Sequence, residues 1–316
     1  MVKKIKKYGL YTILYLFGTL ISLNADVKVV YKVTTSGIMT MGMKMEGKQV
    51  VYLKSGLKRV DNVQKIQIKM PQIGISFKGF KFGQIGGGGL KVKETKSSTI
   101  YDANNGIYYM ISSDGKIQKK TAKQMKEDLE KALEQVKQQR KKAKAGEVKI
   151  KNVEMNIEKI GTKNILNYTC QGYAFKLKLI LEDLKEKKEY PVFYVMKLWY
   201  APLSGKISIL KNEEENFWNK WSKLSGIDEA MLTTQAIQFS MFYGIPEQEL
   251  EKEIKKLMEE VKKIKGYPLA YHYLWQIGEV GEVTFIDTYM EAEKISTGRL
   301  SSDVFDANKV AEEIKE

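Results

Sequence analysis

Two turn dipeptides separate three short β-forming runs near the middle of the first half. Asn105-Gly106 follows Thr99-Ile100-Tyr101-Asp102 and precedes Ile107-Tyr108-Tyr109-Met110-Ile111, and Asp114-Gly115 then leads into Lys116-Ile117-Gln118. Both dipeptides tolerate the positive φ that tight hairpin turns require, so the runs must neighbour one another as antiparallel strands. So short a connection leaves no room for the crossover helix of a parallel pair. The chain is therefore committed to antiparallel pairing here.

The same grammar recurs along the chain. Residues 28–33 and 49–53 are rich in Val and Tyr, with Gly47-Lys48 read as a turn between elements, and residues 66–70 alternate apolar with polar. At Thr121 the period changes. Met125, Leu129, Leu133 and Val136 recur at helical spacing opposite a Lys/Glu/Gln face, which predicts an amphipathic helix over 121–143. Strands resume at Val148 and continue through 174–179 and 192–196. A helical block is expected over 213–265. Glu213, Glu214 and Glu215 suit the positive end of a helix dipole, residues 228–243 form a bulky apolar stretch, and Pro246 and Gly266 bracket a last helix. Strands at 271–275 and 283–289 and a polar tail close the chain. Strands, helix, strands, helices, strands: the expected class is α+β, in one domain over 26–316.

The N-terminus reads as a leader. Lys3, Lys4, Lys6 and Lys7 precede an apolar run over 10–23, and Leu23-Asn24-Ala25 offers small-residue cleavage before Asp26. The run is shorter than the roughly twenty residues that span a bilayer. A cleaved signal peptide over 1–25 places the protein in the periplasm or elsewhere outside the cytosol. With no cysteine near the cleavage site, no lipid anchor is expected. The single cysteine, Cys170, cannot form an internal disulfide.

Charge divides the chain. Residues 26–151 hold 27 Lys/Arg against 11 Asp/Glu, and residues 152–316 hold 22 against 27. These lysines read first as a solvated face that aids solubility; as a binding surface, a basic half outside the cytosol would meet an anionic membrane surface or acidic polymers rather than nucleic acid.

Several stretches resemble the DUF4412 family of exported bacterial proteins, which is similar to the periplasmic lipoprotein carriers of LolA/LolB-like fold. They are residues 99–111 with the turn at 112–116, residues 161–173, Lys197-Leu198-Trp199-Tyr200, Lys265-Gly266-Tyr267-Pro268 and residues 301–305. The sequence departs from the family at Leu166-Asn167, where Asn-Gly is usual, and in the long insert at 213–265. The resemblance implies a strongly curved antiparallel sheet, an unclosed LolA-like half-barrel, with helices covering its concave face. Its cavity would accept acyl chains or a lipidated protein. No functional residue of the carriers falls on a matching motif.

Two segments suggest ligand contact. Met39, Met41, Met43 and Met45 alternate, so in a strand four thioethers would line one side. Such a stripe fits ordinary core packing, an adaptable wall for apolar ligands, or a soft site for Cu(I). The segment 70–89 intersperses Phe77, Phe80 and Phe82 with Gly and Lys and ends in four glycines. It lacks the Gly-Lys-Ser/Thr ending of a phosphate loop, and reads as a hydrophobic flap over the cavity or a strand pair with a slack turn. A Cys170–His272 nucleophile pair is conceivable, but nothing local activates the thiol, and nothing favours a glycosidase-like pair of distant carboxylates. No cofactor and no metal ligand set are expected. The favoured expectation is a non-enzymatic binding protein for a lipid acyl chain or lipidated protein. The alternative is a structural or sensory envelope module whose helices fill the cavity, ahead of an extracytoplasmic hydrolase or a Cu(I) protein.

Overall fold

In a computed structural model, the structure describes residues 25–37, 44–67, 76–77, 80–81, 92–142, 148–184, 187–226, 256, 259–278 and 283–316. The leader-like residues 1–24, the apolar stretch 228–243 and Pro246 lie outside them. The described strands are β1 (Asp26–Ser36), β2 (Lys44–Lys54), β3 (Leu57–Gln67), β4 (Ser76–Phe77), β5 (Phe80–Lys81), β6 (Val92–Asp102), β7 (Ile107–Ile111), β8 (Ile117–Thr121), β9 (Val148–Ile165), β10 (Tyr168–Asp183), β11 (Lys188–Ala201), β12 (Tyr267–Ile277) and β13 (Val283–Gly298). The described helices are α1 (Ala122–Lys142), α2 (Gly205–Ser225) and α3 (Ala307–Lys315), the last preceded by a 3-10 turn at Ser302–Phe305.

Eleven strands form one antiparallel sheet in the order β8-β7-β6-β3-β2-β1-β13-β12-β11-β10-β9. The first described strand lies at the middle of the sheet, and the strands after it meander outward to β8. Helix α1 then leads to the other edge, β9, and the last five strands meander back until β13 pairs with β1, Asp26 opposite Gly298 and Ser36 opposite Asp287. The two edges do not pair, so the sheet is not closed into a barrel.

Local chemistry explains the turns. Asp102 Oδ1 accepts from the backbone N–H groups of Asn104 and Asn105, both at 3.0 Å, and Gly106 takes φ 65°. Leu166 and Asn167 occupy φ 50° and 66°, so a two-residue turn forms there without glycine. Helix α1 opens on a reciprocal cap in which Thr121 N–H donates to Gln124 Oε1 at 2.8 Å and Gln124 N–H to Thr121 Oγ1 at 3.1 Å.

Three expectations need correction. Gly47 is not a turn but lies inside β2, opposite Gln64; a Cβ there would stand 2.1 Å from the Val63 carbonyl oxygen, so close backbone approach demands glycine. The actual β2–β3 turn is Ser55-Gly56, both with positive φ. The triplet Glu213–Glu215 does not start a helix: α2 begins at Gly205 and the carboxylates sit mid-helix. The polar tail is α3, whose Val310 and Ala311 are buried against Ile100 and Ile111.

Residues directly opposite in register share a face. By that rule Val29, Val51, Val60 and Thr99 project from one face, and Arg59 and Ile100 from the other. Helix α2 packs across β1, β2, β12 and β13 on the first face through Ile207, Leu210, Phe217 and Trp221. Helix α3 docks on the second. There Arg59 donates to Asp61 Oδ1 at 2.7 Å, to the Val304 carbonyl at 3.0 Å and to Glu313 Oε2 at 2.8 Å.

The sheet also bends. Four inter-strand spacings, about 19 Å in a flat sheet, separate β9 from β13, yet Lys163 of β9 bonds Tyr289 and Glu291 of β13. Irregularities in register, including those at Gln171/Tyr173, Trp199/Tyr200 and Trp275/Gln276, supply the extra local twist.

Candidate ligand pocket

Between the first face of the sheet and α2 lies a pocket of about 190 Å³. Alternation places Val29 and Tyr31 of β1, Gln49, Val51 and Leu53 of β2, and Lys58 and Val60 of β3 along one wall. Tyr267 and Tyr271 of β12 and Met290 of β13 line the sheet's other half, and α2 contributes Leu210 and Glu214, four residues apart on one helix face. Six of the twelve lining side chains are aliphatic or methionine and the other six carry polar groups, so the wall is half apolar around a polar core.

That core is an ion pair held by tyrosines. Lys58 Nζ donates to Glu214 Oε1 at 2.9 Å, and Tyr267 O–H donates to Oε2 at 2.5 Å. The Lys58 ammonium also lies over the rings of Trp218 and Phe217, 4.7 and 5.5 Å from their centroids. Burial pushes the Glu214 carboxyl up, but the Lys58 charge and the Tyr267 hydroxyl outweigh it and hold the group below the usual range. Glu214 retains 22% of its side-chain exposure, in keeping with its place in the pocket wall. Tyr31 and Tyr271 meet edge to face, with ring centroids 6.4 Å apart. Burial, then the nearby Glu214 charge, drives the Tyr31 and Tyr267 hydroxyls well above the ordinary phenol value. Burial does the same at Tyr271, so all three are neutral. Beside this pair, Glu213 Oε2 accepts the Ser55 backbone N–H at 3.1 Å, tying α2 to the β2–β3 turn.

The residues singled out from the sequence fall differently. Met45 is half-buried in β2 and shares the face of Gln49, Val51 and Leu53, two residue pairs along the strand from the pocket. Met39, Met41, Met43 and Phe82 lie outside the described residues. Phe77 and Phe80 oppose one another in the two-stranded ladder β4–β5, separate from the main sheet. Cys170 is buried, donates its thiol to the Tyr168 carbonyl at 3.5 Å, and has its pKa raised chiefly by burial. His272 bonds Asp287 Oδ1 at 2.8 Å. The two candidate catalytic groups thus have separate partners. Among the described residues no cluster of three His, Cys, Asp or Glu could hold a metal ion, and no helix is long and apolar enough to cross a membrane.

Lys58, Glu214 and the three tyrosines were not visible as a group. Tyr31 and Tyr271 read as strand aromatics, Tyr267 as part of a glycine–proline turn although it opens β12, and Glu214 as a helix start. What joins Lys58 to Glu214 is a contact across 156 residues, for which local pattern has no signal.

No family model matches the chain, and no curated protein matches it. Among solved structures, a domain from Vibrio parahaemolyticus described as an outer membrane lipoprotein-sorting protein is similar over 90% of this chain and 91% of its own. The identity is 6% and the TM-score 0.19. A similarity at that level carries no inference about fold or function.

Proposed function

We propose that this chain is an exported, non-enzymatic binding protein that holds a hydrophobic ligand, the acyl chain of a lipid or lipidated protein, between an open half-barrel sheet and its helices. The observation that carries the reading is the pocket under α2, walled by Val29, Val51, Leu53, Val60, Leu210 and Met290. An apolar cavity of about 150 Å³ admits a benzene-sized group. A pocket of about 190 Å³ therefore suits one end of an acyl chain, at roughly 0.8 kcal/mol per buried CH₂. The basic first half would guide approach to an anionic membrane. One observation favours the alternative of a structural or sensory envelope module: Phe217 and Trp221, 1% and 0% exposed, fill much of the space beneath α2.

Uptake of a neutral pyrene-labelled acyl ester by the gently purified protein separates the two. Saturable binding, abolished by Leu210→Trp in the pocket wall, is the expected result. A ligand-free protein that takes up no probe would overturn the carrier reading in favour of the filled module.

A further inference from the structure

Resting on the carrier reading, we infer that the pocket selects a neutral, oxygen-bearing acyl ligand, an ester or amide of a fatty acid, over the free fatty acid. Among its twelve lining residues the only charges are those of Lys58 and Glu214, opposite in sign and 2.9 Å apart. The pocket therefore carries no net charge for an ionic head group to neutralise.

Both Glu214 oxygens already accept, one from Lys58 and one from Tyr267. Gln49 donates its amide N–H to Asn62 Oδ1 at 3.0 Å, which leaves its amide oxygen as an acceptor in the wall. A lysine ammonium carries three N–H donors; Lys58 donates one to Glu214, and its other described neighbours are the faces of Phe217 and Trp218. The Lys58 ammonium thus keeps N–H donors that a carbonyl oxygen can accept.

A carboxylate is also an acceptor but brings a second negative charge beside Glu214. Two carboxylates in one site cannot both stay ionised without strongly raising the pKa of one. Displacing Glu214 from Lys58 gives no escape, because that leaves Glu214 walled in without its cation. An ester or amide carbonyl takes the same hydrogen bond and adds no charge. The preference is expected to be about tenfold or more at neutral pH.

The test is displacement of the neutral pyrene acyl ester from the full chain by matched twelve-carbon ligands, 1-lauroylglycerol and laurate, below their aggregation concentrations. Lauroylglycerol should compete at concentrations about tenfold lower than laurate. In Glu214→Gln, where Lys58 keeps its charge and the repelling carboxylate is gone, laurate should become the better competitor. Equal competition in the wild type, or stronger competition by laurate, would overturn the inference and leave the carrier reading standing. An unchanged preference in folded Glu214→Gln would also overturn it. Absence of probe uptake would remove both. If Glu214→Gln does not fold, as judged by circular dichroism, the wild-type comparison decides alone.

Discussion

Replacing Lys58 with Met keeps most of the apolar stem and removes the ammonium, leaving Glu214 facing the pocket without its cation. The side chains of the pair are only 12% and 22% exposed, so solvent replaces little of the lost interaction. Breaking one partner of a buried pair costs about 3–5 kcal/mol, and the residual access of Glu214 places the expectation near 3 kcal/mol at pH 7. Adding Glu214→Gln removes the stranded charge and should recover most of that loss; because Glu214→Gln alone leaves Lys58 without its anion, the coupling in the double-mutant cycle should be at least about 2 kcal/mol. The pH dependence carries a sign of its own. In the wild type the Glu214 pKa lies below its unfolded value of 4.5, so its contribution is present above that pH and is lost as pH falls through the folded pKa. In Lys58→Met burial dominates and lifts the folded pKa above the unfolded one. Stability is then fully present below pH 4.5 and lost as pH rises through the folded value. Urea unfolding of the wild type, both single variants and the double variant at pH 7 and pH 4 measures all of this. A Lys58→Met penalty under about 1 kcal/mol, or one that does not shrink at pH 4, would refute the electrostatic account of the pocket.

Two further perturbations probe the frame. Gly47→Ala should cost at least about 2 kcal/mol, because its Cβ would stand 2.1 Å from the Val63 carbonyl oxygen; an unchanged melting temperature would mean that β2 and β3 separate freely at that point. Arg59→Ala should raise hydrogen exchange across the 3-10 turn and α3, leaving β9 to β12 protected, since Arg59 alone bridges Asp61, the Val304 carbonyl and Glu313. Exchange unchanged in α3 would assign its docking to Val310 and Ala311 instead.

The strands were legible because their pattern is local. Residues 28–33, 107–111 and 271–275 lie in β1, β7 and β12, and the Asn105-Gly106 turn forms where its chemistry requires. Gly47 misled because glycine serves two purposes, positive φ in turns and close approach in strands, and only the position of the Val63 carbonyl tells them apart. The Glu213–Glu215 run misled for a related reason. Acidic residues favour helix starts on their own, but here Glu213 and Glu214 find partners in Ser55 and Lys58, on the far side of the molecule in sequence. Helix α3 escaped notice because Val310, Ala311 and Ile314 give a stripe barely one turn long. The pocket followed from none of these signals, since its wall combines β1, β2, β3, α2, β12 and β13.

The pairing of β1 with β13 has a consequence for how the chain can be made. Asp26 and Gly298 are partners across nearly the whole sequence, so the first strand to emerge must wait for the last before its second edge is covered. Until then β1 offers an open row of amides and carbonyls, with Val27 and Val29 uncovered as well. A sheet completed at its centre by its final strand closes late and slowly. A factor that shields open strand edges would have most to do before residue 283 appears.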